Sequence, residues 1–320
     1  MELMLEKWSG SVACVKIGAK KDEGGSRSKV ITIGGEKTLP FLSKEPAVFY
    51  KPLTALEIWD VSPVDWPDEL VSVYGNVLSD PFSWAEKCVK EYKADILCVR
   101  LQGAHPEFGN KTADQEAKFI SDLLKKVEVP LIILGCGDDE KDNLVLPACS
   151  QAAKGERCLI GNALQDNYKI LTAAVMADGH SIIAESPIDI NIAKQLNILI
   201  SDIGLALERI VINPTIGALG YGLEYAYSIM ERARLAALAG DKALACPFIC
   251  FVGQEAWKVK EAQISVKEMP SWGSQRERGI IWEAVTATAL IQAGADILVM
   301  RHPKAVEKIN EYIDELMKKT

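Results

Sequence analysis

Ala295-Asp-Ile-Leu-Val-Met300, then Arg301-His302, then a helical pattern from Pro303 to Lys318 form one unit of the rhythm that decides the fold. A short apolar, β-branched run is followed by a stretch with helical spacing. The same succession occurs seven times before it, after Ala55–Trp59, Ile96–Arg100, Leu131–Leu134, Cys158–Ile160, Ser181–Ala184, Ile210–Asn213 and Pro247–Val252. Strand alternating with helix specifies parallel strands joined by right-handed crossovers. Eight such units between residues 55 and 320 have the count and length of a closed (β/α)8 TIM barrel, an α/β fold whose chemistry sits on the loops that follow the strands.

Working outward, helices are expected at about 80–92, 112–127, 139–153, 165–178, 188–207, 222–239, 276–293 and 303–318. Asp80-Pro81 and His302-Pro303 place proline in a first helical turn, Thr112-Ala-Asp-Gln115 reads as a capping box, and Ser186-Pro187 is expected to open the fifth helix. Residues 1–54 stand apart from the barrel of residues 55–320. Ser11–Ile17 and Lys29–Ile33 read as strands around the charged turn Lys20–Ser28, which suggests an N-terminal β-ribbon extension or barrel plug.

The 320 residues are 48% hydrophobic, enough for one barrel with a large core. The formal charge is -8 and no long basic run occurs, which argues against a nucleic-acid partner. Charges break the apolar tracts before any reaches a membrane span. Met1–Gly10 carries Glu2, Glu6 and Lys7 where a signal peptide has an apolar core, and the eight cysteines read as reduced thiols, so a cytoplasmic setting is expected.

Two strand-end connections are unusually long, Val61–Ser79 and Gly253–Gln275, and both are aromatic: Trp66 and Tyr74 in the first, Trp257 and Trp272 in the second. These rings either form a flat surface for a large planar ligand or a partner protein, or pack over the barrel rim.

Tests for specific chemistry are mostly negative. The three histidines, His105, His180 and His302, have no partner histidine at metal-ligand spacing. No Cys-x-x-Cys occurs. Cys246 and Cys250 fall on a strand, where four residues at ~3.3 Å each put them about 13 Å apart, too far for one cluster. Asp178-Gly-His180 invites comparison with the Asp-x-His-x-x-Gly motif of corrinoid proteins, but Ile183 stands where that motif has glycine, and the tripeptide precedes a strand; it reads as a helix-to-strand turn. Gly217-Ala-Leu-Gly220-Tyr-Gly222 lacks the dinucleotide spacing and reads as a tight loop where backbone approaches something closely. The polar strand-end candidates are Asp60, Gln102, Asp138, Asn162, Glu185, Asn213, Gln254, Arg301 and His302. Amides dominate, and neither a nucleophile–base pair nor a carboxylate pair stands out, which favours a binding module over an autonomous enzyme.

Several long segments carry a resemblance. They are Asn213-Pro-Thr-Ile-Gly-Ala-Leu-Gly-Tyr-Gly-Leu-Glu-Tyr225 with its continuation through Leu238, Met269-Pro-Ser-Trp-Gly-Ser-Gln-Arg-Glu-Arg-Gly-Ile-Ile-Trp-Glu283, Gly294–Pro303, Pro130–Gly137 and Gly161-Asn-Ala163. Together they resemble the small subunit of the corrinoid/iron–sulfur protein, whose archaeal counterpart is the delta subunit of the acetyl-CoA decarbonylase/synthase complex. The likeness spans essentially the whole chain. It implies a methyl-carrier subunit of the reductive acetyl-CoA pathway, not catalytic alone. The barrel would cap a corrinoid (cobalamin-type) cofactor at the interface with a large subunit, and that large subunit alone would hold a [4Fe–4S] cluster. Implied partners are the large subunit, a methyltetrahydrofolate methyltransferase and acetyl-CoA synthase.

With that resemblance, the expected cofactor-facing residues are Asn162, Asn213, Thr215, Ile216, Gly217, Trp272, Gly273, Ser274, Arg301 and His302, most of them following strands six to eight on one side of the rim. Arg301 and His302 have an alternative role in helix capping or a rim salt bridge. No residue is expected to be catalytic or to ligate a metal. Two other functions remain open: a free-standing pterin-dependent methyltransferase with Asn162 or Asn213 on the pterin, and an assembly subunit without cofactor contact.

Overall fold

The structure is a computed structural model and describes residues 7–39, 41 and 50–319. Residues 1–6, 40 and 42–49 of the expected extension, and Thr320, lie outside the described ones. Strands β1 (Cys14–Ile17) and β2 (Ile31–Gly34) form an antiparallel ribbon. The barrel strands are β3 (Leu53–Trp59), β4 (Leu97–Arg100), β5 (Leu131–Leu134), β6 (Leu159–Ala163), β7 (Ser181–Glu185), β8 (Ile210–Asn213), β9 (Ile249–Cys250) and β10 (Ile297–Met300). Helices α1 (Asp68–Tyr74) and α2 (Pro81–Lys90) follow β3, and α3 (Ala113–Lys126), α4 (Asp139–Ala152), α5 (Tyr168–Asp178), α6 (Ile190–Ile203) and α7 (Leu223–Leu238) follow β4 to β8 in turn. The stretch after β9 holds α8 (Val252–Ala256), α9 (Lys260–Gln263) and α10 (Gln275–Gln292), and α11 (Pro303–Lys319) follows β10.

β3 to β8 pair in parallel with their sequence neighbours, and β10 lies between β3 and β9. A parallel bridge between Ile212 and Phe248, with the Ile212 N–H on Pro247 O at 2.8 Å, closes the ring. The expected eight-stranded barrel is therefore present. Asp80 caps α2 by accepting the Phe82 and Ser83 N–H groups, and Thr112 and Gln115 form the expected capping box on α3. Several boundaries shift by a few residues, as where the expected strand Cys158–Ile160 is Leu159–Ala163, and two differ in kind. Asp189, not Ser186-Pro187, caps α6, because its carboxylate accepts the Asn191 and Ile192 N–H groups. The run Pro247–Val252 is regular strand only at Ile249–Cys250, apart from the Phe248 bridge, and is helical from Val252. The long connections are not bare loops, since α1, α8 and α9 lie within them.

Strand side chains alternate between two cores. Leu56, Ile58, Leu97, Val99, Ile133 and Leu298 lie under the helices. Ala55, Cys98, Ile132, Ile183, Val211, Ile249 and Val299 fill the barrel, together with Val15, Ile17 and Ile33 of the ribbon. The ribbon thus plugs the barrel end at which the strands begin. Ala13 N–H donates to Ala245 O, Gly18 N–H to Arg157 O and Gly34 N–H to Asp296 Oδ1. Gly34 is at φ +82, and a Cβ there would stand 2.1 Å from Ala13 O, so no larger residue permits this approach. Buried Arg27 donates to the carbonyls of Leu124 and Val127 and pairs with Glu156. At the same end buried Arg234 pairs with Glu36 and Asp296.

Seven of the eight cysteines are buried; Cys14 is exposed. Buried His180 accepts the Cys158 N–H on Nδ1 and sits 2.9 Å from Ser150 O through Nε2 after the left-handed Gly179, which makes Asp178–His180 the helix-to-strand turn expected of it. Among the described residues no helix is long and apolar enough to cross a membrane.

Ile17→Ala removes three side-chain carbons from a filled site between ribbon and barrel. It should lower stability by about 2–5 kcal/mol in urea denaturation, and a loss near zero would show that the ribbon is not part of the barrel core.

Candidate functional site

Strand parity sends a set of polar side chains into the barrel mouth. Glu57, Arg100, Glu185, Asn213 and Arg301 each stand two residues beyond an inner-core residue: Ala55, Cys98, Ile183, Val211 and Val299. Glu57 is fully buried. It accepts Arg301 Nε at 3.0 Å and Nη2 at 3.2 Å, Arg100 Nε at 2.9 Å, and Trp59 Nε1 at 2.8 Å. Burial alone would raise its pKa, but the Arg301 and Arg100 charges outweigh this and hold the carboxyl well below the usual carboxylate range. The Arg301 guanidinium lies 5.6 Å from the centre of the Trp59 ring and 4.9 Å from that of Trp66.

The two long connections close this side of the mouth. Trp66 lies edge-on to Trp59 and Trp84, Tyr74 packs against Trp66 and Trp84, and the Tyr74 hydroxyl donates to Arg301 O. In the second connection Trp257 stacks on His302 at 5.8 Å and donates from Nε1 to Glu283 at 2.9 Å. Glu283 also accepts the Arg301 and His302 N–H groups, and burial pushes its pKa up to about 7 despite these donors. Trp66, Tyr74 and Trp257 are buried, so they pack over the rim and offer no surface to a ligand. Trp272 is half-buried, with Arg278 over its ring at 5.5 Å.

The other side of the mouth is open. A pocket of about 140 Å³ is lined by Arg100, Leu134, Gly135, Gly137, Asp139, Asp142, Asn162, Leu164, Asn167 and Glu185, from the ends of β4 to β7. The Asp142 carboxylate accepts the Cys136 N–H at 2.7 Å and the Gly137 N–H at 3.0 Å, and a Cβ on Gly135 would meet it at 2.2 Å, so only glycine permits this turn. Asn213 Nδ2 donates to Glu185 Oε2 at 2.8 Å, and its Oδ1 accepts the Thr215 N–H. Thr215, at φ 54, donates from Oγ1 to Ser186 O, which stitches the connections after β7 and β8 together. Burial raises the pKa of both Glu185 and Asp142. Asn162 Oδ1 is buried and has no hydrogen-bond partner among the described residues. Beside this pocket, under the connection after β4, Lys111 bonds Asp60 at 2.5 Å and lies 3.8 Å from buried Glu116, whose pKa burial and the Asp60 charge push up to about 8.

The expected site residues therefore fall into three places. Asn162, Asn213 and Thr215 stand together around Glu185 at the open side, and buried Ile216 and half-buried Gly217 continue that connection. Trp272, Gly273 and Ser274 form the turn into α10, where Ser274 caps the helix. Arg301 and His302 are enclosed, 4% and 0% exposed, in the roles of a rim salt bridge and a helix start: Arg301 bonds Glu57, and His302 Nδ1 accepts the Lys304 N–H. Burial also lowers the His302 pKa to about 4. Glu57 and Arg100 were missing from the sequence-based candidates, although each is a charge at an inward position of an apolar strand, two residues after a small one.

A family model for the CO dehydrogenase/acetyl-CoA synthase delta subunit matches residues 15–312. The chain belongs to this family. The acetyl-CoA decarbonylase/synthase complex subunit delta of Methanocaldococcus jannaschii is 35% identical over 313 residues, covering 96% of this chain and 74% of that protein. That of Methanopyrus kandleri is 36% identical over 307 residues, covering 95% and 75%. This family places the chain among subunits of an acetyl-CoA pathway complex. Two solved structures share its fold at 13% identity. Dihydropteroate synthase from Xanthomonas albilineans with 4-aminobenzoic acid has a TM-score of 0.55 and covers 90% of this chain and 94% of that one. The Coxiella burnetii enzyme in complex with pteroic acid has a TM-score of 0.56 and covers 88% and 99%.

Within this delta-family barrel, Arg301→Met takes from the buried Glu57 carboxylate one of its two guanidinium partners and leaves Arg100 as the other. It should cost about 3–5 kcal/mol of stability in urea denaturation at pH 7. Glu57→Gln/Arg301→Met should recover part of that loss, and strictly additive single losses would show that the two side chains do not act as a pair.

Proposed function

We propose that this chain is the small subunit of a heterodimeric corrinoid/iron–sulfur protein, a cytoplasmic methyl carrier of the reductive acetyl-CoA pathway, and that its strand-end face caps the corrinoid held by the large subunit. The observation that carries this reading is the uneven mouth. One side is sealed by Glu57, Arg301 and the buried aromatic rings, and the other presents an open polar recess with an unpartnered Asn162 Oδ1. Such a face binds part of a ligand and leaves the rest to another chain.

When bound, the corrinoid supplies the cobalt centre that accepts and releases a methyl group. This chain's residues hold and shield. Asn162 and Asn213 offer amides, and Thr215, Ile216 and Gly217 give a wall made rigid by the Asn213–Thr215 and Thr215–Ser186 hydrogen bonds. Trp272, Gly273 and Ser274 add a half-exposed edge that excludes water. Arg301 and His302 brace the rim from inside. The partners implied are the large subunit with its [4Fe–4S] cluster, a methyltetrahydrofolate methyltransferase and acetyl-CoA synthase.

A second reading, a free-standing pterin-dependent methyltransferase, draws on one observation: Asn162 and Asn213 stand at the mouth of a barrel whose fold relatives include a protein in complex with pteroic acid. Co-expression with and without the large subunit decides between them. Corrinoid absorbance should appear in the pair, with cobalt content well above that of the large subunit alone, and the lone chain should bind no methyltetrahydrofolate. Trp272→Ala in the pair should lower the cobalt retained on gel filtration severalfold. Pterin binding by the lone chain would support the second reading. Cobalt content indifferent to this chain and to Trp272 would reduce it to an assembly subunit.

A further inference from the structure

The recess between β4 and β7 carries unused hydrogen-bonding capacity of both signs. Arg100 spends Nε on Glu57 and Nη2 on Gln254, Asn167 spends Oδ1 on the Leu164 N–H, and Glu185 spends Oε2 on Asn213. Among the described residues, Arg100 Nη1, Asn167 Nδ2 and Glu185 Oε1 have no hydrogen-bond partner, and Asn162 Oδ1 is likewise unpartnered. The recess thus offers donors from a guanidinium and an amide, and acceptors from a carboxylate and an amide, within one small space.

We infer that this recess receives a neutral primary carboxamide, and, resting on the corrinoid-cap reading, that the carboxamide is one of the side arms on the corrin periphery. A carboxamide has two N–H donors and one carbonyl acceptor, which answer Glu185 and Asn162 on one edge and Arg100 and Asn167 on the other. A carboxylate or phosphate in the same place meets Glu185, Asp139 and Asp142; an ammonium group meets Arg100. Like charges brought together without water are strongly disfavoured. The amide edge of a pterin ring has the same donor–acceptor chemistry, but two features favour a chain end. The recess holds about 140 Å³, below the roughly 300–1,000 Å³ of sites that enclose a whole ligand, and no aromatic ring lines it for a bicyclic system to stack on.

The test uses the heterodimer and reads affinity from the visible absorbance of the bound corrinoid. The probes are cobalamin and its monocarboxylate derivatives, in each of which a single peripheral carboxamide has been hydrolysed. One of these acids should bind at least about tenfold more weakly than cobalamin to the wild-type pair. In the pair carrying Glu185→Gln, which keeps the hydrogen bond to Asn213 and removes the charge, that discrimination should shrink severalfold. Asn162→Leu should weaken cobalamin itself while leaving that acid less affected. If every acid binds as cobalamin does, or if Glu185→Gln leaves the discrimination intact, the inference is wrong while the cap stands. If this chain adds nothing to the large subunit's affinity for any corrinoid, the cap fails and the inference with it. Methyltetrahydrofolate binding by the wild-type chain that Asn162→Leu abolishes would assign the recess to a pterin and overturn the corrin arm.

Discussion

A carboxylate buried in the mouth of a barrel persists as an ion only if cations are held against it. Moving such a group out of water costs several kcal/mol, and good geometry with further hydrogen bonds must offset that cost. Glu57 meets the requirement with two guanidinium groups and an indole N–H. The requirement propagates outward. Arg301 must lie flat against Glu57, so its faces are presented to Trp59 and Trp66, and its main chain ties to Glu283 and Tyr74. The connections after β3 and β9 are thereby pulled down over the rim. Arg100, the second cation, spans the sealed and open sides: it touches Glu57 and Gln254 and also lines the recess.

The result is a barrel blocked at both ends but unequally. The ribbon fills one end with Val15, Ile17 and Ile33. At the other, half of the mouth is protein interior and half is a shallow polar surface. The loops that follow barrel strands are where the fold carries its binding chemistry. Here the recess is small, about 140 Å³, and keeps unpartnered polar atoms such as Asn162 Oδ1 on a frame braced by the Asn213–Glu185 and Thr215–Ser186 hydrogen bonds. Membership of a family of complex subunits gives such a face its setting.

Much of this was legible in the sequence, because the barrel rhythm rests on short-range patterns. The strands Leu131–Leu134 and Ile210–Asn213 are bounded by turn residues and came out unchanged, and Thr112 and Gln115 form the box their spacing implies. What escaped depends on contacts distant in sequence. Whether Trp66 and Tyr74 face outward or inward is decided by Trp84 and Arg301, the latter more than two hundred residues away. Arg301 and His302 looked like rim residues because they follow a strand, yet the connections after β3 and β9 cover them. Glu57 and Arg100 were readable in principle, since a charge at an inward strand position needs a partner and the expected barrel already sets β3 beside β4. Asp142 escaped because its role depends on a turn wrapping back onto the start of α4.

The central claim is that the open side of the strand-end face is where a shared cofactor meets this chain. Hydrogen–deuterium exchange on the heterodimer, with and without corrinoid, tests it directly. Added protection should fall on residues 135–142, 161–167, 185–188 and 213–217, with the ribbon at the opposite end unchanged. Protection at the ribbon, or none in this chain, would contradict the account.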